Sequence, residues 1–556
     1  MNPSRQGILK AAGLITVLTL LSRVMGLLRK LAQSWAMSDG SVATAYDTAN
    51  TVPNVLFEIA AGGALAGAVI PLVSGFIARS MRAEASRTAS ALISWVLLIG
   101  LPVAGIVALA ARPLSLLLFG NDADPAIVEL ATSLLRMFAV QIPLYGLSVV
   151  LSGILQAHKK FVLPALSPLL SSLVVITVFL AYSCVHRPDA DPAGLSYASI
   201  AWLGWGTTAG VIVFSLPQLI PVLRLMDIRP QLRFPAGVAR RTLSLTGAGL
   251  GALLAQQIAI IVIMIVANTC GGVGAYNTFN YAWAMFMVPY AVLAVPIATV
   301  TFPKISAAVS AEQAQRNHSD SDACPGAEQA HSSQQPYSPQ QSYSRQCAPR
   351  VSELIACSTR LVCAMGMIAC AMLIVLSAPA RIVLEMGRSI EGLDLALIAM
   401  AIGVGGYSLM YHGARILYAC ERGVWVIISN SVGWGCVVLG LVCTSLWADG
   451  RIHTVLGIGI SMSAGLTVGA IAVLASIAHV SGKGSIAGVA RTCAVHAGVQ
   501  ACVGIPAWFA VHGLLHMMGT GMVGAVVSAI AGASILIVGA ACTMWVCDRD
   551  ALRALR

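Results

Sequence analysis

Residues 8–35 read ILKAAGLITVLTLLSRVMGLLRKLAQSW, an apolar run from Ile8 to Trp35 that carries Arg23, Arg29 and Lys30 in its second half. At about 1.5 Å of rise per residue, such a run crosses the ~30 Å hydrocarbon core of a bilayer as one helix. A cation there is expensive, so its retention points to function. Seven residues turn a helix through about 700°, so Arg23 and Lys30 share a face with Gly26 between them, about 10 Å apart along the axis. A stripe of this kind suits an elongated anion.

Working outward, the 556 residues are 58% hydrophobic and only 10% charged, with a mean hydropathy of +0.83. Ordinary soluble domains carry about 25% charged residues. The reading is an all-α, polytopic membrane protein. Windows of about 20 residues divide it into about fourteen spans, near 8–35, 44–77, 88–111, 126–157, 162–184, 195–222, 242–269, 276–305, 353–377, 391–420, 424–447, 454–479, 488–515 and 519–546.

Orientation follows from the basic residues. Connections after even-numbered spans hold Arg79, Arg82, Arg87, Lys159, Lys160, Arg224, Arg229, Arg233, Arg240, Arg241, Lys304, Arg316, Arg345, Arg350, Arg422, Lys483 and Arg491, and the tail adds Arg549, Arg553 and Arg556. Odd-numbered connections hold only Arg112, Arg187, Arg381, Arg388 and Arg451. The positive-inside rule then predicts both termini on the cytoplasmic side of a plasma membrane. Arg29 and Lys30 fall toward the outer side, either snorkelling to headgroups or facing a site. Arg23 lies about 9 Å deeper.

The net charge of +11 is mostly this cytoplasmic collar, which meets anionic headgroups and does not call for nucleic acid. No cysteines are spaced Cys-x-x-Cys, and most fall within spans (Cys363, Cys370, Cys436, Cys443, Cys502). Neither a metal site nor a disulfide framework is expected. Met1–Lys10 is followed by a full-length span without a small-residue cleavage site, so a removable signal peptide is not expected. His412, His496, His512 and His516 read as polar packing rather than proton carriers. From Ser306 to Ser352 the chain turns to Gln, Ser, Pro, Asp and His, including Tyr337-Ser338-Pro339-Gln340-Gln341-Ser342. This predicts a disordered cytoplasmic linker, either a featureless tether or a segment whose serines are modified or recruit a partner such as cell-wall synthesis proteins.

An internal duplication sets the architecture. Tyr46-Asp47-Thr48-Ala49-Asn50 recurs as Tyr276-Asn277-Thr278-Phe279-Asn280, an offset of 230, and Pro71-Leu72-Val73-Ser74 recurs as Pro303-Lys304-Ile305-Ser306, an offset of 232. Ile154-Leu155-Gln156-Ala157 and Ile416-Leu417-Tyr418-Ala419 make a third echo at 262, the extra 30 residues matching the polar insertion. Two like-oriented six-span lobes, 1–230 and 231–480, the second interrupted at 306–352, would enclose a central cavity, and 481–556 would add two helices and a basic tail. The first and second spans of each half would face each other. The seventh span offers only Gln256, Gln257 and Asn268, so the cavity would be cationic on one wall and neutral on the other.

Leu21-Ser22-Arg23-Val24-Met25-Gly26-Leu27-Leu28-Arg29, then Pro53-Asn54, Gly63, Leu134-Leu135-Arg136 and the run Ile154–Pro168, resemble the MurJ (MviN) lipid II flippases of the multidrug/oligosaccharidyl-lipid/polysaccharide exporter superfamily. Thr44-Ala45-Tyr46, Thr51-Val52-Pro53-Asn54 and Asn280-Tyr281-Ala282-Trp283 are most similar to the actinobacterial branch. The resemblance implies two six-helix lobes plus two C-terminal helices, a carrier rather than an enzyme, and a substrate of undecaprenyl-diphosphate-linked peptidoglycan precursor moved to the outer leaflet. It implies that Ser22, Arg23, Gly26 and Arg29 line the cavity. The family's acidic residue after the second arginine is Lys30 here, and the aspartate of its second span aligns with Thr44. Its further cavity arginines align with Phe57 and Ala284. Lys30 stands as one replacement, and Arg136 or Arg415 could supply another if they point inward.

Asp47 and Glu58 lie eleven residues, about 1100°, apart on the second span, hence on nearly one face. They form either a gate that pairs with Arg23, Arg29 or Lys30 while the diphosphate is absent, or a structural ion pair between spans one and two. Pro53, beside Asn54, would hinge that span. Gly524, Ser528 and Gly532 give the small-xxx-small spacing of close helix packing. The expected mechanism is alternating access driven by membrane potential without a cofactor, with coupling to Na⁺ or H⁺ open. The rivals are an exporter of another polyprenyl-linked polysaccharide or a drug, a scaffold for cell-wall enzymes, and a polyprenyl-lipid glycosyltransferase or phosphatase. A basic first span argues against cationic drugs, and no acidic cluster or Arg/His phosphatase signature is visible.

Overall fold

The computed structural model describes residues 3–60, 66–234, 238–322, 349–385 and 390–547. Gly63, Arg388, the Tyr337–Ser342 stretch and the tail arginines lie outside them. All regular structure among the described residues is helical. The first repeat runs α1 (Pro3–Met37), α2 (Ser41–Ile59), α3 (Ala66–Ala78), α4 (Arg82–Leu109), α5 (Ala111–Phe119), α6 (Pro125–Ala139), α7 (Gln141–Ala157), α8 (Val162–Ser183), α9 (Tyr197–Ser215) and α10 (Leu219–Leu225). The second runs α11 (Val238–Cys270), α12 (Ala275–Pro289), α13 (Val295–Asp322), α14 (Pro349–Val375), α15 (Ser377–Glu385), α16 (Leu393–Ala419), α17 (Gly423–Trp447) and α18 (Arg451–Ser481), before α19 (Val489–Met518) and α20 (Met522–Cys547).

Twelve helical stretches among the described residues are long and apolar enough to cross a membrane, and they coincide with the third to fourteenth expected spans. α1 and the α2–α3 pair occupy the first two. The repeat is visible in the order of elements. Nine-residue helices follow both α4 and α14, and the π geometry at Ala60, after α2, recurs at the π-turn Tyr290–Ala294 between α12 and α13. Local chemistry sets several boundaries. Asp124 Oδ1 accepts from Ala126 N at 2.9 Å with Pro125 in the first turn, opening α6, and Ser196 Oγ accepts from Ser199 N at 3.2 Å, opening α9.

The chain forms two compact units. Unit 1 is Met1–Ala284 with Arg381–Ala396 and Val438–Ile458, and unit 2 is Met285–Ala380, Leu397–Val437 and Gly459–Arg556. In unit 1, α1 lies along α8 and meets α2 only briefly, while α2 packs on α6. Tyr46 anchors that core: its ring meets Phe138 and Phe179 edge-on at 5.5 Å each, and its hydroxyl shares a 2.8 Å hydrogen bond with Thr207. In unit 2, glycines let backbones touch. A Cβ on Gly366 would lie 2.8 Å from Gly405 Cα, and one on Gly406 2.5 Å from the Leu466 carbonyl. Ser528 is buried, a Cβ on Gly532 would lie 2.6 Å from Val511 of α19, and Gly524 sits against the Gly519 turn. His412 packs as a buried polar residue, its Nε2 at 3.2 Å from Ser358 Oγ.

Two expectations are corrected. Residues 306–322 are not a disordered linker, because α13 continues to Asp322 and α14 resumes at Pro349. The Ala, Glu and Gln of that run favour helix, and polarity reports the solvent rather than the backbone. The remainder of the linker, 323–348, lies outside the described residues. Cys363 and Cys493 form a disulfide between α14 and α19. Their separation of 130 residues leaves no local spacing to read.

Candidate functional site

The site is built where α1 ends and α2 begins, within unit 1. Asp47, 4% exposed, is held from two other helices, α1 and α12. Gln33 Nε2 donates to its Oδ1 at 2.8 Å, Asn277 Nδ2 donates to its Oδ2 at 2.7 Å, and Asn280 Nδ2 reaches the same oxygen at 3.3 Å. Lys30 Nζ lies 3.5 Å from Oδ1, donates to Gln33 Oε1 at 3.0 Å and sits 5.8 Å from the centroid of the Tyr281 ring. A buried carboxylate needs such saturation, since an unpaired charge in low dielectric costs several kcal/mol.

The two copies of the duplicated motif meet here. Asp47 bonds Asn277, and Thr44 Oγ1 accepts from Gly274 N at 2.9 Å. In both contacts the residues differ by 230, the offset of the repeat. Thr44 Oγ1 also lies 2.9 Å from Asn277 Oδ1, Thr51 Oγ1 shares a 2.8 Å bond with Tyr276 OH, and Asn268 Nδ2 donates to Thr48 Oγ1 at 3.1 Å. α2 is thereby stitched to α12 and α11 along its first three turns. Of the neutral residues expected opposite the cations, Asn268 takes part; Asn277 and Asn280 matter more and were readable only through the motif echo.

A second latch closes the same end. Arg451 pairs with Asp39, and its Nη2 donates to Thr278 Oγ1 at 3.2 Å. Gly274 makes room: its φ is +87° and a Cβ would fall 2.5 Å from Arg451 Nη2. Tyr281 OH donates to Ser38 O at 2.8 Å, and Ser34 Oγ to Leu384 O at 2.5 Å. Beside this latch Glu385 accepts from Ile390 N at 3.0 Å, and partial burial holds its carboxyl above the ordinary glutamate range despite Arg381. Neither Asp39 nor Arg451 stood out in the sequence, being an isolated pair of loop charges.

Arg23 and Arg29 behave differently from Lys30. Neither has an ion-pair or hydrogen-bond partner among the described residues. Arg23 is exposed and Arg29 half-buried, and a Cβ on Gly26 between them would meet nothing within 4 Å. Arg23 interacts electrostatically with exposed Glu58 of α2, while Arg29 and Glu58 both act on Tyr145. Ser22 is half-buried. Of the two expected gate carboxylates, Asp47 pairs with Lys30, and Glu58 pairs with no cation among the described residues. Asn54 Oδ1 accepts from Tyr145 OH at 3.1 Å, and α2 continues as helix through Pro53. Phe57, where the family arginine was expected, packs at 4.5 Å from the Tyr145 ring and 6.1 Å from Phe214, an aromatic wall in place of a charge. Ala284 is half-buried and Arg136 exposed. Arg415, in unit 2, stacks at 4.5 Å over Tyr411 and donates to Thr299 Oγ1 at 3.3 Å.

Arginine side chains such as Arg23 and Arg29 offer forks that suit an anion. Among the described residues no group of three or more His, Cys, Asp and Glu could hold a metal ion. Comparisons with known proteins agree with this architecture. The lipid II flippase MurJ of Burkholderia cenocepacia is 28% identical over 302 residues, 52% of this chain and 55% of that protein. The probable lipid II flippase MurJ of Synechocystis sp. is 31% identical over 244 residues, 42% of this chain and 44% of the other. The chain thus spans about half the length of the curated relatives it matches. The solved structure of a lipid II flippase MurJ in an inward closed conformation superimposes with a TM-score of 0.71 at 17% identity, over 96% of this chain and 100% of that one. An inward-facing multidrug resistance transporter of the MATE family follows at 0.59 and 16%, over 86% and 99%. The family profile for lipid II flippase MurJ matches residues 34–523, most of the 556 residues, and the chain belongs to that family.

Proposed function

We propose that the chain is a flippase for undecaprenyl-diphosphate-linked peptidoglycan precursor in a bacterial plasma membrane, with both termini cytoplasmic, working by alternating access. The observation that carries this reading is the division of labour on α1: Lys30 is neutralised by Asp47, while Arg23 and Arg29 have no ion-pair or hydrogen-bond partner among the described residues. A diphosphate offers two anionic centres for two arginines, at a spacing set by the helix. The polar seal around Asp47 and the Asp39–Arg451 latch stand at the end of the bundle that the lysine and arginine distribution assigns to the outside, and would part as the substrate is released. Moving negative charge outward is favoured by an inside-negative potential, about 2.3 kcal/mol per charge per 100 mV.

The experiment is depletion of the native protein with complementation by Arg23→Ala and Arg29→Ala, scoring precursor accumulated on the inner leaflet. Both variants should be stably expressed and fail to export. Normal export by both would remove the binding site proposed here. Flipping in proteoliposomes should accelerate when an inside-negative potential is imposed; indifference would remove the energetic step alone.

A further inference from the structure

A second basic site lies in unit 2, far in sequence from the α1 arginines. Where α18 ends, the connection to α19 folds back over the start of α14 and leaves a cavity of about 500 Å³, within the ~300–1,000 Å³ of small-molecule sites. Ser352, Ala356 and Arg360, one i, i+4, i+8 row of α14, form its floor, and Lys483, Gly484 and Gly488 form its wall. Gly482 and Gly488 have φ of +88° and +78°, conformations that let the connection reverse twice in seven residues. Ser352 Oγ donates to Ser481 O at 3.2 Å and pins α14 to the end of α18.

The donors in this basin are unspent. Arg360 Nη2 meets only the weak acceptor Cys357 Sγ, at 3.1 Å, and its Nε is buried without a partner. A Cβ on Gly488 would lie 3.1 Å from Arg360 Cδ, so the backbone presses the arginine stem into place. Lys483 is exposed and has no ion pair among the described residues. The one carboxylate on the lining, Glu353, is exposed and lies within ion-pair distance of neither cation. Gly488 also opens α19 without a side-chain cap, so the first N–H groups of a 30-residue helix add positive potential at the rim. Three span ends converge here: α14 begins its candidate span at Val351, α18 closes at Ser481, and the α19 span opens from Lys483. That convergence sets the basin at the membrane boundary.

We propose that this basin binds a phosphate-bearing anion, with Arg360 and Lys483 as its ligands, either as the headgroup of an anionic phospholipid or as free phosphate. Basic pockets between span ends are where such headgroups dock. The inference does not depend on the transport reading, since none of these residues belongs to the α1–α2 site.

The test uses the full chain, delipidated in detergent, with native mass spectrometry counting bound short-chain phosphatidylglycerol, phosphatidylcholine as the zwitterionic control, and inorganic phosphate in a separate titration. Phosphatidylglycerol should bind in preference to phosphatidylcholine, and Arg360→Gln with Lys483→Gln should weaken it about tenfold. Lys483→Gln alone, at an exposed position that cannot disturb folding, should weaken it about threefold. Phosphate binding lost in the same variants identifies the phosphate group itself as the determinant; lipid binding without phosphate binding identifies a headgroup site. Equal binding of phosphatidylglycerol by wild type and both variants, or no binding of either probe, overturns the proposal.

Discussion

Replacing Asp47 by asparagine keeps the shape of the α2 knot and removes its charge. At 3.5 Å and an effective dielectric of about 20, the attraction lost to Lys30 is about 5 kcal/mol before solvent compensation. Lys30 is 21% exposed and its ammonium regains part of this from water. The hydrogen bonds from Gln33, Asn277 and Asn280 fall from charge-assisted to neutral, and one amide hydrogen pair of the new side chain must face another donor. Rotating the Asn277 amide does not relieve the conflict cleanly, since its Oδ1 faces the Thr44 hydroxyl at 2.9 Å. Asp47→Asn should therefore destabilise unit 1 by about 3 kcal/mol. Lys30→Gln should cost about 1 kcal/mol, because Asp47 keeps its three neutral donors. The double variant should cost about 1–2 kcal/mol less than the sum of the two. Unfolding of the four proteins in mixed micelles with rising sodium dodecyl sulfate measures the cycle. Additivity within about 0.5 kcal/mol would refute the claim that the two charges form one unit.

The Asp39–Arg451 latch should behave as a pair as well: Asp39→Ala and Arg451→Ala should each cost about 1–2 kcal/mol, with Asp39→Ala adding little once Arg451 is gone, in the same titration. Gly26→Leu, facing open space, should leave stability within about 0.5 kcal/mol of wild type yet fail to complement depletion, because it fills the gap between Arg23 and Arg29. Gly406→Ala should lose about 2 kcal/mol or more, since its Cβ meets the Leu466 carbonyl and backbone cannot step aside. For Glu385 the folded carboxyl titrates above its unfolded value, so the neutral form is favoured on folding. Its contribution is complete below the unfolded pKa and is lost as pH rises through the folded one. Stability of Glu385→Gln measured across the mildly acidic range should show a weaker decline than wild type.

The span pattern was legible because lipid demands long apolar helices, and the limits of the third to fourteenth spans needed only local hydropathy. The π geometry at Ala60 and the break at Val140 were not legible, since helix continues to satisfy hydropathy on either side of Val140. Helical spacing predicts one face for Arg23, Gly26 and Lys30; in the fold Arg23 is exposed while Lys30 lies half-buried against Asp47. Lys30 was grouped with Arg23 by helical spacing and by charge. Its pairing with Asp47 is tertiary: it depends on Gln33, Asn277 and Asn280 completing the carboxylate's hydrogen bonds, and no spacing along α1 encodes that. The Cys363–Cys493 bond and the helix over 306–322 were missed for the same reason, in that composition reports environment and not partners.

The meeting of the two motif copies explains why the repeat had to lose its symmetry. Where residue 47 contacts residue 277, an exact duplication would set aspartate against aspartate, two buried carboxylates of which only one could ionise. Asparagine at 277 gives the contact a donor, and a single negative charge then calls for a single cation, which Lys30 supplies from the first repeat. The positions 230 residues beyond Arg23, Arg29 and Lys30 are Leu253, Ala259 and Ile260, so no second set of cations competes for Asp47. One charge balanced at the contact between copies leaves Arg23 and Arg29 as surplus positive charge on α1. Restoring the duplication with Asn277→Asp should then act as a pH switch on this contact: growth by complementation near wild type in mildly acidic medium, where one carboxyl of the pair holds a proton, and failing as the medium becomes alkaline. Complementation independent of pH by a stably expressed Asn277→Asp would mean the asymmetry is incidental to the contact.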